Sequence, residues 1–256
     1  MITSTSNTQI KNVINLIKKS KDRKAQGLFV VEGKRMFEET PKERIHSLFV
    51  SESFEKANKD SLRGYDYELV ADDVFSHMSD TKTPQGVMAL VKMSEYSIED
   101  MLKGGNPLIM ILENLQDPGN LGTIIRTAEG AGVDGIIMTS GTVDIYNPKV
   151  IRSTMGAMYR MKYAYTDSLK EAAAFLKSRG ITTYAAHLQG AVDYVTCDYK
   201  KGTAFFIGNE GNGLTDEATA LADRKIIIPM MGKLESLNAA VSGAVLMYEA
   251  ARQRRA

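Results

Sequence analysis

The sequence predicts an α/β protein in which a mostly parallel sheet, with helices on both faces, follows a smaller α/β unit. Three observations carry this. Apolar runs of strand length alternate with amphipathic segments of helix length along nearly the whole chain. Leu108-Ile109-Met110-Ile111-Leu112 is apolar at every position, as a strand covered on both faces must be. The pattern breaks between Ser94 and Asn106 into charged residues and a Gly-Gly-Asn tract. That break divides the chain into a domain at 1–93, a linker at 94–106 with at most one helical turn, and a domain at 107–256.

In the first domain, Ile10, Val13, Ile14 and Ile17 recur at helical spacing, so the segment after Asn7 is an amphipathic helix whose basic end leads into a loop. A strand follows at Leu28 to Val31, stopped by Gly33. Then come a helix at Lys34 to Glu39, a strand at Ile45 to Ser51, a helix at Phe54 to Lys59 and a strand at Tyr65 to Val70. A short helix at Asp72 to Met78 and a strand at Gly86 to Val91 complete it.

The second domain opens on the Leu108 strand. Asp117-Pro118-Gly119 marks a turn, and a helix carrying Ile124, Ile125 and Ala128 follows. Strands are expected at Gly135 to Thr139, Met161 to Tyr165, Ile181 to Ala186, Ala204 to Ile207 and Lys225 to Ile228. Helices are expected at Pro148 to Met155, Ser168 to Arg179, Thr215 to Ala222 and Ser236 to Arg252. Strands separated by helices read as parallel.

The composition, 43% hydrophobic and 25% charged in 256 residues, is that of an ordinary globular chain. No apolar run approaches the roughly 20 residues of a membrane span, and MITSTSNTQIKN lacks the plan of a signal peptide, so no membrane association and a cytoplasmic location are expected. The single cysteine, Cys197, excludes an internal disulfide and a zinc site of paired thiolates. His46, His77 and His187 are scattered, and no metal is expected. Net charge is only +1, but Lys11 to Lys24 holds six basic residues against one acid. Such a run is either a solvated helix end or a phosphate-facing patch.

Common fingerprints fail. Gly208, Gly211 and Gly213 run G-x-x-G-x-G, not the dinucleotide order. Neither Gly33-Lys34 nor Gly232-Lys233 has the context of a phosphate-binding loop, and no serine lies in G-x-S-x-G. What remains is three polar turns after apolar strands: Asn120 with Arg126, Asn209 with Glu210, and Ser236 with Asn238. Strand ends are where α/β proteins hold ligands.

These turns lie within NLQDPGNLGTIIRTAEGAG, IGNEGNGL and IPMMGKLESLNAAVSGAVLMYEA, which resemble, in order, the three motifs of the SpoU (TrmH) family of RNA ribose 2′-O-methyltransferases in the SPOUT superfamily. FVVEGKRMFEE and TKTPQGVMALV resemble the family's accessory RNA-binding domain, a small ribosomal-protein-like α/β fold. The resemblance implies a trefoil-knotted sheet, a homodimer with the last helix at the two-fold axis, and S-adenosylmethionine as methyl donor to a ribose 2′-hydroxyl. Arg126 aligns with the residue that handles the hydroxyl proton, either as base or by orienting phosphate and hydroxyl. An arginine is a poor base, since its pKa exceeds ~12. Asn120 is expected to fix the loop presenting Arg126 through backbone bonds, and Glu210 to orient Arg126 or the third-motif loop. Ser236 and Asn238 match the polar pair at the last helix, where capping and substrate positioning are both open. Gly208, Ile228 and Leu237 occupy the family's cofactor contacts, and Leu188 adds an apolar wall. Lys18, Lys19, Arg23, Lys34 and Arg126 are the expected RNA contacts.

Two features stay open at the level of residues. Val241, Val245 and Tyr248 form an apolar face that reads equally as core or as dimer contact. Ala239-Ala240-Val241-Ser242 stands where many relatives read Val-Ser-Val-Ala, so no side-chain hydrogen bond can form at Ala240. Ribosomal RNA is the expected substrate because smaller transfer-RNA enzymes of the family often lack the N-terminal domain. The alternatives are a transfer-RNA 2′-O-methyltransferase and a non-catalytic RNA-binding ribosome-assembly factor.

Overall fold

A computed structural model of the protein describes residues 1–188 and 191–255. They form two compact units, one of Met1–Ser94 with Asp144–Tyr159, the other of Glu95–Val143 with the chain from Arg160 onward.

The first unit begins with helix α1 (Thr8–Lys18), capped by the Asn7 side chain accepting from Gln9 N and burying Ile10, Val13, Leu16 and Ile17 along one stripe. Where the basic end of this helix was expected to lead into a loop, a second helix follows, α2 (Ser20–Gln26), ended by Gly27 in the left-handed region at φ 64°. Then follow β1 (Leu28–Glu32), α3 (Lys34–Glu39), β2 (Ile45–Ser51), α4 (Glu52–Ala57), β3 (Glu68–Val70), α5 (Asp72–Met78) and β4 (Val87–Lys92). The sheet runs β1-β4-β2-β3; β4 is antiparallel to both neighbours, and β2 and β3 are parallel. Ile10, Leu16, Phe49, Phe75 and Met88 are among its buried core.

This unit also takes in Asp144–Tyr159. Tyr146 packs on Phe29 with ring centroids 4.5 Å apart, and Arg152 Nη1 reaches Asp80 Oδ2 at 3.2 Å. Arg23 was expected to face phosphate, and here the structure differs. Arg23 is 4% exposed; its Nη1 donates to Leu16 O at 2.7 Å and Ile17 O at 3.1 Å, and its Nε to Asp144 Oδ2 at 3.1 Å. A guanidinium so enclosed is spent on the fold and offers no donor to RNA. Lys18 and Lys19 are exposed.

The second unit contains α6 (Ile98–Met101), β5 (Leu108–Leu112), α7 (Pro118–Ala131), β6 (Gly135–Thr139), β7 (Tyr163–Thr166), α9 (Leu169–Ser178), β8 (Thr182–Ala186), β9 (Val192–Asp193), β10 (Thr203–Ile207), α10 (Asp216–Leu221), β11 (Arg224–Ile227) and α11 (Ala239–Arg255). Helix α8 (Pro148–Thr154) lies in the excursion to the first unit. Its seven described strands are ordered β7-β6-β5-β10-β8-β11-β9, and every neighbouring pair is parallel. Strand β10 is therefore wedged between β5 and β8, in register from Thr203 with Leu108 and with Thr182.

Residues 108–112 are all fully buried, worth roughly 1.5–3 kcal/mol for each large side chain removed from water. Ile109, Ile111 and Phe206 pack on one face with Ala172, Ala173 and Leu176 of α9. On the other face α11 packs on α7 and β10. The last turn of α11 is tied down by Arg254, which donates to Tyr199 O at 2.9 Å, Asn106 O at 2.7 Å and Lys201 O at 2.8 Å.

Candidate active site

Because the strands of the second unit are parallel, their carboxyl ends lie together, and the polar turns after β5, β10 and β11 meet there. A cleft of about 300 Å³ opens at the ends of β8, β10 and β11; Leu188, Gly208, Glu210, Ile228, Ser236 and Leu237 are among its lining residues. Asn120, Arg126 and Asn238 do not line it.

Helix α7 starts where Asp117 precedes Pro118: the Asp117 side chain accepts from Asn120 N at 2.8 Å, and proline occupies a position whose N–H would be unpaired anyway. This leaves the Asn120 side chain free of backbone duty, unlike the expectation. Its Nδ2 donates to Glu210 Oε1 at 3.0 Å, and its Oδ1 accepts from Asn238 Nδ2 at 3.0 Å. Asn238, not Ser236, caps α11: its Oδ1 accepts from Ala240 N at 2.9 Å and Val241 N at 3.3 Å. Those two N–H groups force the Asn238 amide to turn its NH₂ toward Asn120, which must then donate to Glu210. The three turns are thus joined by one directional chain of amides ending on a carboxylate.

Glu210 also accepts from Asp117 N at 2.9 Å and Gln116 N at 3.0 Å. Partial burial alone would raise its pKa, but the Asn120 amide and the Gln116 and Asp117 N–H groups outweigh that and hold the carboxyl below its ordinary value. Both oxygens are engaged with the first turn, and no hydrogen bond joins Glu210 to Arg126 among the described residues. Arg126 is exposed on α7, six residues past Asn120 or roughly 9 Å along the helix, and no side chain among the described residues pairs with it.

The second turn closes on itself: Asn209 N donates to Gly213 O at 3.0 Å and Gly213 N returns to Asn209 O at 2.9 Å. A Cβ on Gly208 would overlap the backbone of Gly213 and Leu214, so the glycine is required by the turn before any ligand approaches. Glu113, 6% exposed, anchors the far side by accepting from Thr215 N at 2.9 Å and Thr215 Oγ1 at 2.7 Å. Asn114 holds φ 52°; its carbonyl accepts Asn209 Nδ2 at 2.9 Å, and its N–H donates to Thr139 Oγ1 at 2.8 Å. The left-handed residue is over-determined by its partners, as strained positions beside sites are.

Of these, Asp117 was readable from sequence, as a capping residue before a proline. Glu113, Asn114 and Gln116 were not, because their partners lie up to 102 residues away. Ser236 is exposed at the cleft and Leu188 is 55% exposed on its wall. Of the open apolar face, Val241 is 46% and Tyr248 48% exposed, so these two are not core; Val245 is half-buried. Ala240 is 2% exposed and packs as an apolar residue.

Comparison with known proteins agrees with this architecture. Residues 107–248 match the SpoU rRNA Methylase family, and residues 7–89 match the MRM3-like substrate binding domain. A 23S rRNA (guanosine(2553)-2′-O)-methyltransferase of Bacillus subtilis (strain 168) is 31% identical over 96% of this chain and 97% of its own. A tRNA (guanosine(18)-2′-O)-methyltransferase of Thermus thermophilus is 41% identical, over 61% of this chain and 81% of its own. The crystal structure of the SpoU methyltransferase AviRb from Streptomyces viridochromogenes, in complex with the cofactor AdoMet, superposes with a TM-score of 0.88 at 27% identity, covering 98% of this chain and 99% of that one.

Proposed function

The chain belongs to the SpoU rRNA methylase family, and from that premise we propose that it transfers a methyl group from S-adenosylmethionine to a ribose 2′-hydroxyl of ribosomal RNA. The observation that carries the reading is the amide chain Asn238–Asn120–Glu210, which ties three strand-end turns into one rigid frame beside a cleft. Ribosomal RNA is preferred because the full-length relative acts on 23S rRNA, while the tRNA relative matches only 61% of the chain.

The cleft fits the cofactor on its own terms: apolar walls at Leu188, Ile228 and Leu237 suit an adenosyl group, and the self-closed Gly208–Leu214 turn presents backbone in place of bulky side chains. Bound there, S-adenosylmethionine supplies an electrophilic methyl group. The protein's part is orientation. We assign Arg126 to the target phosphate and hydroxyl, since it is a preformed fork with no competing partner among the described residues. Glu210 and Asn120 are assigned to positioning, and Ser236, at the cleft, to the substrate ribose. We further infer that the chain threads a trefoil knot, supported by the wedging of β10 between β5 and β8, and that it forms a cytoplasmic homodimer, supported by the exposed apolar Val241 and Tyr248 on α11. A purely monomeric species in sedimentation at micromolar concentration removes the dimer.

The test is incubation with methyl-labelled S-adenosylmethionine and separated ribosomal and transfer RNA pools, with the label mapped as an alkali-resistant linkage. Label in ribosomal RNA ribose is expected. Label in a base overturns the chemistry, label confined to transfer RNA overturns the substrate, and no label with no cofactor binding leaves an RNA-binding assembly factor.

A further inference from the structure

The loop Ser79-Asp80-Thr81-Lys82-Thr83-Pro84-Gln85-Gly86 of the first unit has no regular secondary structure, yet it is pinned at both ends by side chains. Glu32, at the end of β1, accepts from Ser79 Oγ at 2.5 Å and Thr81 Oγ1 at 2.7 Å. Asp80 Oδ2 is held by Arg152 Nη1 at 3.2 Å and Nη2 at 3.3 Å. On the far side, Gln85 Oε1 accepts from Lys34 N at 2.8 Å, and Gly86 O accepts from Ser51 N at 2.8 Å. A Cβ on Gly86, at φ 82°, would overlap Ser51 Oγ, so the exit is sterically fixed as well.

Between the pins stand Lys82 and Thr83, both exposed and without a side-chain partner among the described residues. The charge arrangement has a direction. The two acids of the cluster, Glu32 and Asp80, are turned to loop hydroxyls and to Arg152, whereas the tip carries a cation that no described residue neutralises. Exposed Arg35, just after Lys34, is a second cation without a side-chain partner among the described residues. Ordering a polar surface loop costs conformational entropy, and here that cost is met in the free protein, with proline restricting the chain further. A loop ordered in advance around one unpaired lysine loses little freedom on binding an anion.

We propose that Ser79–Gly86 is a preformed contact for a backbone phosphate of the RNA substrate, with Lys82 making the charged contact, Thr83 donating beside it, and Arg152 serving as a positioning residue through Asp80. This rests on the RNA-methyltransferase reading for the identity of the ligand. Arg152 comes from the excursion Asp144–Tyr159, so a residue far along the chain sets the posture of a loop in the N-terminal unit.

The experiment measures binding of the full-length protein to a 23S ribosomal RNA transcript by filter retention across a salt series, alongside methyl transfer and S-adenosylmethionine binding. Lys82→Ala is expected to weaken RNA binding about fivefold and to reduce the slope of log affinity against log salt by about 0.7–0.9, the signature of one lost phosphate contact. Cofactor affinity is expected to stay at the wild-type value. Arg152→Ala is expected to weaken RNA binding comparably, Arg152→Lys to restore part of it, and Lys82→Ala to add little on top of Arg152→Ala. Wild-type affinity and salt slope in Lys82→Ala overturn the proposal, as do fully additive effects of the two alanine variants. Because binding is read separately from methyl transfer, RNA binding without transfer defeats the proposed activity alone, and transfer with an unaltered Lys82→Ala slope defeats the loop alone.

Discussion

Asn238 donates its side-chain amide to the Asn120 side-chain oxygen Oδ1 at 3.0 Å, joining residues 118 positions apart in the chain. The donor's orientation is dictated by the start of α11 and the acceptor's by Glu210, so each amide in the chain has one usable orientation.

Asn120→Asp tests that directionality. It sets a carboxylate where an N–H now meets Glu210, and two carboxylates at hydrogen-bond distance share a proton, with one apparent pKa raised. Methyl transfer is expected to fall about tenfold or more at pH 8 and to recover as pH is lowered toward 6, because protonation restores a donor. Asn120→Ala is expected to be impaired at every pH. A parallel pH profile for the two variants refutes the relay.

Arg126→Ala separates function from folding. An exposed helix arginine with no side-chain partner among the described residues contributes within about ±0.5 kcal/mol to stability, so the melting temperature is expected to stay close to wild type. Methyl transfer is expected to fall about a hundredfold or more. Near-normal turnover removes Arg126 from the site.

Gly208→Ala and Gly211→Ala form a contrasting pair. The first places a methyl into the backbone of Gly213 and Leu214 and is expected to cost about 1–3 kcal/mol and to weaken S-adenosylmethionine binding in calorimetry. The second meets nothing closer than Asn209 Oδ1 at 3.5 Å, and a stability change within about 0.5 kcal/mol is expected.

Glu210→Gln reports on the held-down carboxyl. A carboxyl whose folded pKa lies below its unfolded value of about 4.3 contributes stability that is fully present above that value and is lost as pH falls through the folded one. Urea midpoints of wild type and variant are therefore expected to differ by a constant amount above about pH 5 and to draw together progressively as pH falls beneath the unfolded value. A pH-independent difference shows that the charge of Glu210 does not stabilise the turn.

Much of the fold was legible because burial writes itself into short windows. The all-apolar Leu108–Leu112 and the stop at Gly33 need no distant information, whereas Pro118 and Gly119, expected in a turn, are the first residues of α7. What escaped depended on partners far along the chain. Arg23 reads as one more cation in a basic run, and only Asp144, 121 residues later, together with the carbonyls ending α1, turns it inward. Val192–Asp193 is too short to show a period. At the site, the residue types were readable and their pairings were not. Asn120 was expected on backbone and is instead the middle of a side-chain chain, because Asp117 had already taken the capping role.

The wedging of β10 between β5 and β8 also sets the timing of assembly. Leu108–Leu112 emerges from the ribosome roughly ninety residues ahead of the strand that covers its inner edge, which at 5–20 residues per second is a delay of about 5–20 s. Throughout that interval an edge of a strand apolar at every position waits unpaired, so the nascent chain is aggregation-prone until Thr203–Ile207 has emerged. Synonymous codons that slow translation between Leu112 and Thr203 are therefore expected to reduce soluble yield while leaving the finished protein unchanged.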